Sequence, residues 1–89
     1  MTYDPMNFGE ALDELNKGRR VARKGWNGRG MWLVLVRANS WAHPVLDREG
    51  AELQGLPWIG MRTVDAHFVP WLASQTDILA VDWTVVDEA

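Results

Sequence analysis

Apolar residues at Phe8, Ala11, Leu12 and Leu15 recur three and four positions apart, with Glu10, Asp13, Glu14 and Asn16 between them. That spacing lays one apolar stripe along a helix and predicts an α-helix over residues 7–17. Asn7 can cap its first turn, Glu10 can reach back to the cap, and Met6 can pack on Ala11 as a staple. Gly18 supplies a left-handed residue to end it, just after Lys17, whose charge suits the C-terminal dipole. Residues 20–24 form a short strand candidate. After a turn, residues 31–37 (MWLVLVR) are apolar on both faces, Met31, Leu33 and Leu35 on one and Trp32, Val34 and Val36 on the other. A strand of that kind is buried on both sides.

Residues 39–57 are weakly patterned and hold Pro44, Gly50 and Gly55, with room for one irregular hairpin around Asp47-Arg48-Glu49-Gly50. Residues 58–64 then predict a strand, Asp65-Ala66 a turn, and residues 67–69 a short return strand. A short helix follows over residues 74–79, with Ser74 as cap and Asp77 at the third helical position. The last strand spans residues 81–86, with Val81, Trp83 and Val85 on one face. The expected fold is α+β: a small antiparallel β-sheet with an N-terminal helix packed on one face and a short second helix before the last strand. One helix covers one sheet face, so a partner subunit is the simplest cover for the other.

Composition sharpens this picture. The 89 residues suffice for one domain over 1–89, and a domain that small needs support from disulfides, metals or assembly. Cysteine is absent, and the two histidines, His43 and His67, have no neighbours at metal-ligand spacing. Oligomerisation is the expected support. No apolar run approaches a membrane span and residues 1–4 carry no leader pattern, so the expected location is a cytoplasm. A net charge of −3 argues against binding nucleic-acid polymers. Yet Lys17, Arg19, Arg20, Arg23, Lys24 and Arg29 fall in a stretch without Asp or Glu. That stretch reads either as a solvated strand and turn or as an anion site sized for a pyrophosphate. Six tryptophans exceed what so small a core can hide. Trp26, Trp58 and Trp71 adjoin Gly, Pro or polar residues and are the ones suited to an interface or a flat ligand.

The chemistry-bearing residues point to binding. Gly25-Trp26-Asn27-Gly28-Arg29-Gly30 lacks the lysine and hydroxyl of a phosphate loop and joins two strands. Glycine turns are common, but a tryptophan held inside one is not explained by turn formation. Ser40 and Ser74 are the only serines, neither lies in a nucleophile elbow, and both histidines read as surface residues. Asp77 and Asp82 read better as helix-start and strand-entry residues than as a carboxylate pair. Trp71, Ser74, Gln75, Thr76 and Asp77 combine an aromatic plane with a polar fringe at a helix start, beside the cationic strand. Either this is a capped helix next to a core tryptophan, or it is an adenine–ribose–pyrophosphate site in which Arg23 or Lys24 faces the pyrophosphate.

Met6-Asn7-Phe8-Gly9-Glu10-Ala11-Leu12, Ala22-Arg23-Lys24-Gly25-Trp26-Asn27-Gly28, Leu56-Pro57-Trp58-Ile59, Trp71-Leu72-Ala73-Ser74-Gln75-Thr76-Asp77 and Ala80-Val81-Asp82-Trp83 together resemble the second Thoeris anti-defence family of phage and prophage proteins. The resemblance covers nearly the whole chain in the family's order. It implies a sponge in the cytoplasm of the infected bacterial host. Such proteins form homotetramers and hold glycocyclic ADP-ribose intact in pockets between subunits, and some bind cyclic dinucleotides at separate sites. It implies no cofactor and no turnover. It also implies that Trp26 stacks on the ligand, with Asn27 and the Ser74-Gln75-Thr76-Asp77 helix start as further contacts. Ile78 and Val81 depart from the family pattern, and residues 39–55 match little of it. A structural or interaction protein of a phage is the competing reading, and an enzyme acting on the same messenger the third.

Overall fold

The computed structural model describes residues 5–26, 29–38 and 44–86. Its elements are α1 (Phe8–Asn16), β1 (Arg20–Arg23), a 3-10 turn (Lys24–Trp26), β2 (Trp32–Val36), β3 (Trp58–Arg62), β4 (Phe68–Pro70), α2 (Gln75–Leu79) and β5 (Trp83–Val86). The strands form one sheet in the order β4-β3-β2-β1-β5, and every pairing is antiparallel. This is the α+β fold the sequence predicts.

α1 starts as its sequence dictates. The Asn7 side chain accepts from the Glu10 N–H at 2.8 Å, and the Asn7 N–H donates to the Glu10 carboxylate at 3.0 Å. Gly18 ends the helix at φ +88°, a conformation open to glycine at little cost. Met6 packs against the core cluster that contains Ala11. It pairs with Trp83 through two backbone hydrogen bonds of 2.7 and 3.0 Å, which ties the start of α1 to the entry of β5.

The pairings assign the two sheet faces. Val21 lies opposite Leu33 and Val85, Arg23 opposite Trp83, and Leu33 opposite Met61. On this face Val21, Leu33 and Trp83 are buried with Ala11 and Leu15 of α1, and Ile59, Leu35 and Met61 pack around them. α2 contacts α1 on the same side. The opposite face presents Arg20, Trp32, Val34, Val36, Trp58 and Phe68, with no helix over it among the described residues. There the Arg20 guanidinium lies 4.5 Å above the Trp32 ring, and Phe68 packs on Trp58 at 5.9 Å and directly over Gly60.

Several boundaries shift from those expected. Lys24 leaves the first strand and opens the 3-10 turn, with its N–H still donating to the Asp82 carbonyl at 2.9 Å. Val81 falls outside β5 and is exposed. The hairpin around residues 47–50 is present as an isolated bridge between Leu46 and Glu52, with the Asp47 carboxylate accepting from the Glu49 and Ala51 N–H groups.

Candidate ligand-binding site

The chain doubles back at Arg23, and this reversal builds the site. β1 lies against β5 with Arg23 opposite Trp83, so the turn leaving β1 and the residues entering β5 share one end of the sheet. Arg23 Nε donates to Asp82 at 2.9 Å and Nη1 donates to Asp77 at 2.8 Å. The second Asp82 oxygen accepts the Gly25 N–H at 2.9 Å. One arginine thus holds β1, the Trp26 turn, α2 and the approach to β5 in a single hydrogen-bonded unit.

The electrostatics of this unit are mutual. Burial pushes the Asp77 carboxyl up, but hydrogen bonds from Arg23 and Ser74 outweigh it and hold Asp77 below the ordinary carboxylate range. Burial likewise works against the Asp82 charge, and the Arg23 guanidinium with the Gly25 N–H overcomes it. The hydrogen bonds to Asp82 and Asp77 raise Arg23 in turn. Asp82 was read from sequence as a strand-entry residue, and its part in the site was missed. Its partner Arg23 is 59 positions away, and only the pairing of β1 with β5 brings them together.

Aromatic rings fill the space beside the arginine. Trp83 is fully buried, with its indole N–H donating to the Asp77 carbonyl at 3.0 Å. The half-buried rings of Trp26 and Trp71 each meet Trp83 edge-on, at 5.4 and 6.0 Å between centroids and 80° and 86° between planes. Phe8 of α1 closes the group, 5.3 Å from Trp83 and 5.8 Å from Trp71. Edge-to-face packing leaves part of each outer ring facing outward, the disposition a stacking platform needs.

The start of α2 forms the polar fringe. Ser74 Oγ accepts the Asp77 N–H at 3.1 Å and the Asp77 carboxylate accepts the Ser74 N–H at 3.4 Å, a closed capping box, with Ser74 Oγ also donating to that carboxylate at 2.9 Å. Ser74 and Asp77 are therefore largely occupied with each other and with Arg23, and a carboxylate stands where an anion would approach. This end of α2 suits hydroxyl and amine groups better than phosphate. Gln75 and Thr76 are exposed beside it. Lys24 and Arg29 are exposed on either side of Trp26, with no carboxylate paired to them among the described residues.

Of the residues singled out in sequence, Arg23, Trp26, Trp71, Ser74 and Asp77 thus converge around Trp83, with Gln75 and Thr76 at the rim. Asn27 lies outside the described residues, as do Ser40, Trp41 and His43. Trp58 stands on the opposite sheet face with Phe68 and is not part of this group. His67 is exposed, 3.2 Å from the Asp65 carboxylate. Among the described residues no helix is long and apolar enough to cross a membrane.

Fold and site together define a small antiparallel α+β domain that gathers tryptophans and a charged clamp at one end of its sheet. The Thoeris anti-defense 2-like domain matches residues 6–86, a span that contains every residue of this site. The chain is also similar to "Thoeris anti-defense 2" of Bacillus phage SP01, with 40% identity over 85 residues, 91% of this chain and 94% of the relative. The chain belongs to the Thoeris anti-defense 2 family.

Proposed function

We propose that this protein is an anti-Thoeris sponge that sequesters a cyclic ADP-ribose-type immune messenger, glycocyclic ADP-ribose, and leaves it chemically intact. The observation that carries the reading is the convergence of two segments distant in sequence. The Trp26 turn and the Trp71–Asp77 stretch meet around one buried tryptophan, and the family resemblance implies ligand contacts at Trp26 and at the Ser74–Asp77 helix start.

In this reading the outward part of the Trp26 ring stacks on the adenine. Trp71 and the side chains of Ser74, Gln75, Thr76 and Asp77 line the ribose hydroxyls. The pyrophosphate is met by the exposed cations beside Trp26, Lys24 and Arg29, while Arg23, committed to two carboxylates, acts by holding the site together. Asn27, the next residue along the chain, adds a further ligand contact, as the family resemblance implies. The pocket is completed between subunits of a homotetramer whose buried surfaces include the open sheet face, and cyclic dinucleotides occupy a separate site. The protein works in the cytoplasm of the infected bacterial host, without cofactor or catalysis. Ser74, the site hydroxyl that bonds a carboxylate, is engaged in capping α2 through Asp77.

Calorimetry with glycocyclic ADP-ribose tests this directly, followed by heat denaturation and chromatography of what is released. Saturable binding and recovery of the unchanged messenger are expected. An absence of binding heat defeats the proposal, and cleavage products accumulating beyond one per site convert the protein into an enzyme.

A further inference from the structure

The Trp26 turn is tied to a carboxylate on the approach to β5. Trp26 ends a three-residue 3-10 turn, too short to hold its own orientation through internal hydrogen bonds. What fixes that turn is Asp82. Its backbone carbonyl accepts the Lys24 N–H and one carboxylate oxygen accepts the Gly25 N–H, both at 2.9 Å. The other oxygen accepts from Arg23 Nε at 2.9 Å, and Arg23 reaches on to Asp77 at the α2 start. Gly25 suits this approach, since a β-carbon there would stand 3.1 Å from the same carboxylate oxygen.

We infer that Asp82 is the positioning residue of the binding site: it sets the Trp26 turn and, through Arg23, locks that turn to the α2 start, so that both halves of the pocket are formed before the ligand arrives. This rests on the binding reading above and adds a residue that lies outside the contact set. A preorganised platform loses less freedom on binding, and that saving appears as affinity.

The test is a cycle of glycocyclic ADP-ribose affinities for the parent, Asp82→Asn, Trp26→Ala and the double variant. Asp82→Asn keeps the shape and one acceptor but removes the charge that holds Arg23. It is expected to weaken binding about tenfold in the parent, a fraction of a base stack. In the Trp26→Ala background it is expected to add little, because a residue acting through Trp26 has nothing left to act on. Parent-like affinity for Asp82→Asn, or the same loss in both backgrounds, overturns the inference while leaving the binding reading in place. A ligand-independent readout separates the two further. In amide-exchange spectra of the free protein, Asp82→Asn should strip protection from Gly25 and alter the Trp26 indole resonance while the Leu33 and Val21 amides stay protected. If the parent binds no messenger, this readout still decides the positioning role. An unchanged Gly25 amide sinks it, and so does an Asp82→Asn chain that fails to fold, since Asp82 is then a strut of the whole sheet.

Discussion

At Trp26 packing and binding are separable. Its ring meets Trp83 edge-on and is only half-buried, whereas Trp83 is sealed inside the core. An aromatic pair of this kind contributes about 0.5–1.5 kcal/mol beyond its buried area, while truncating a fully buried tryptophan costs ~3–5 kcal/mol. Trp26→Ala should therefore lower the melting temperature by roughly 2–12 °C, given ~4–8 °C per kcal/mol in a domain of this size. The same variant should weaken messenger binding by about tenfold to a hundredfold. Trp83→Ala should instead leave little folded protein. Circular-dichroism melts paired with calorimetry check both, and a Trp26→Ala protein with parent affinity removes the stacking role. Trp26 and Trp71 could be singled out in sequence because glycine and proline flank them, which argued against full burial. Asp82 could not, because a side chain chooses its ion-pair partner in three dimensions and nothing local to residue 82 names Arg23.

The elements meet at charged seams whose strength depends on pH. Asp77 and Asp82 keep folded-state pKa values below the 3.8 of an unperturbed aspartate. A depressed carboxylate stabilises fully above its unfolded pKa, and that stability is lost as pH falls through the folded value. The fold should accordingly keep its melting temperature down to about pH 4 and lose it steeply below. The Asp77→Asn/Asp82→Asn variant should start lower and fall less over the same interval. Glu14 and Asp65 are also depressed, but their partners Lys17, Arg19 and His67 are exposed, so these pairs contribute little. Thermal melts from about pH 6 to about pH 2 decide the matter, and parallel acid limbs for parent and variant would refute it. At the far edge, Gly60 carries the ring of Phe68. A methyl there would approach Cε2 and Cε1 at 2.7 and 2.9 Å, so the ring must swing off the sheet. Gly60→Ala should cost about 1–3 kcal/mol and release β4 first, visible as faster exchange of the Val69 amide. Elements with local signals were legible in sequence, namely α1 from its stripe and cap, β2 from its unbroken apolar run, and α2 from Ser74 and Asp77. The pairing of β1 with β5 was not, because no turn joins them and their register rests on packing alone.

For the whole molecule the question is how much surface is left unburied. The chain exposes 6376 Å², against about 5300 Å² for a compact monomer of its mass. Its radius of gyration is 15.0 Å, where about 12 Å is usual for this length. Exposed apolar side chains include Leu72, Leu79 and Val81 around α2. Val45, Leu46, Leu53 and Leu56 are exposed along the connection between β2 and β3, and Phe68 is half-exposed on the open sheet face. That face carries Trp32, Val34, Val36 and Trp58 without a helix over them among the described residues, and a patch of this kind is the signature of an assembly surface. Light scattering at micromolar concentration should therefore return a multiple of the 10.1 kDa chain mass, four chains if the assembly follows the family resemblance. Val34 lies mid-sheet on the open face, opposite Gly60. Val34→Lys should leave the monomer folded, since the lysine stem can lie along the sheet with its ammonium in water. In an assembled face the same ammonium is buried without a partner, so the variant should sediment as a smaller species with a parent-like circular-dichroism spectrum. A parent that scatters as a monomer ends the assembly reading altogether. A Val34→Lys protein that keeps the parent mass moves the interface off this sheet face.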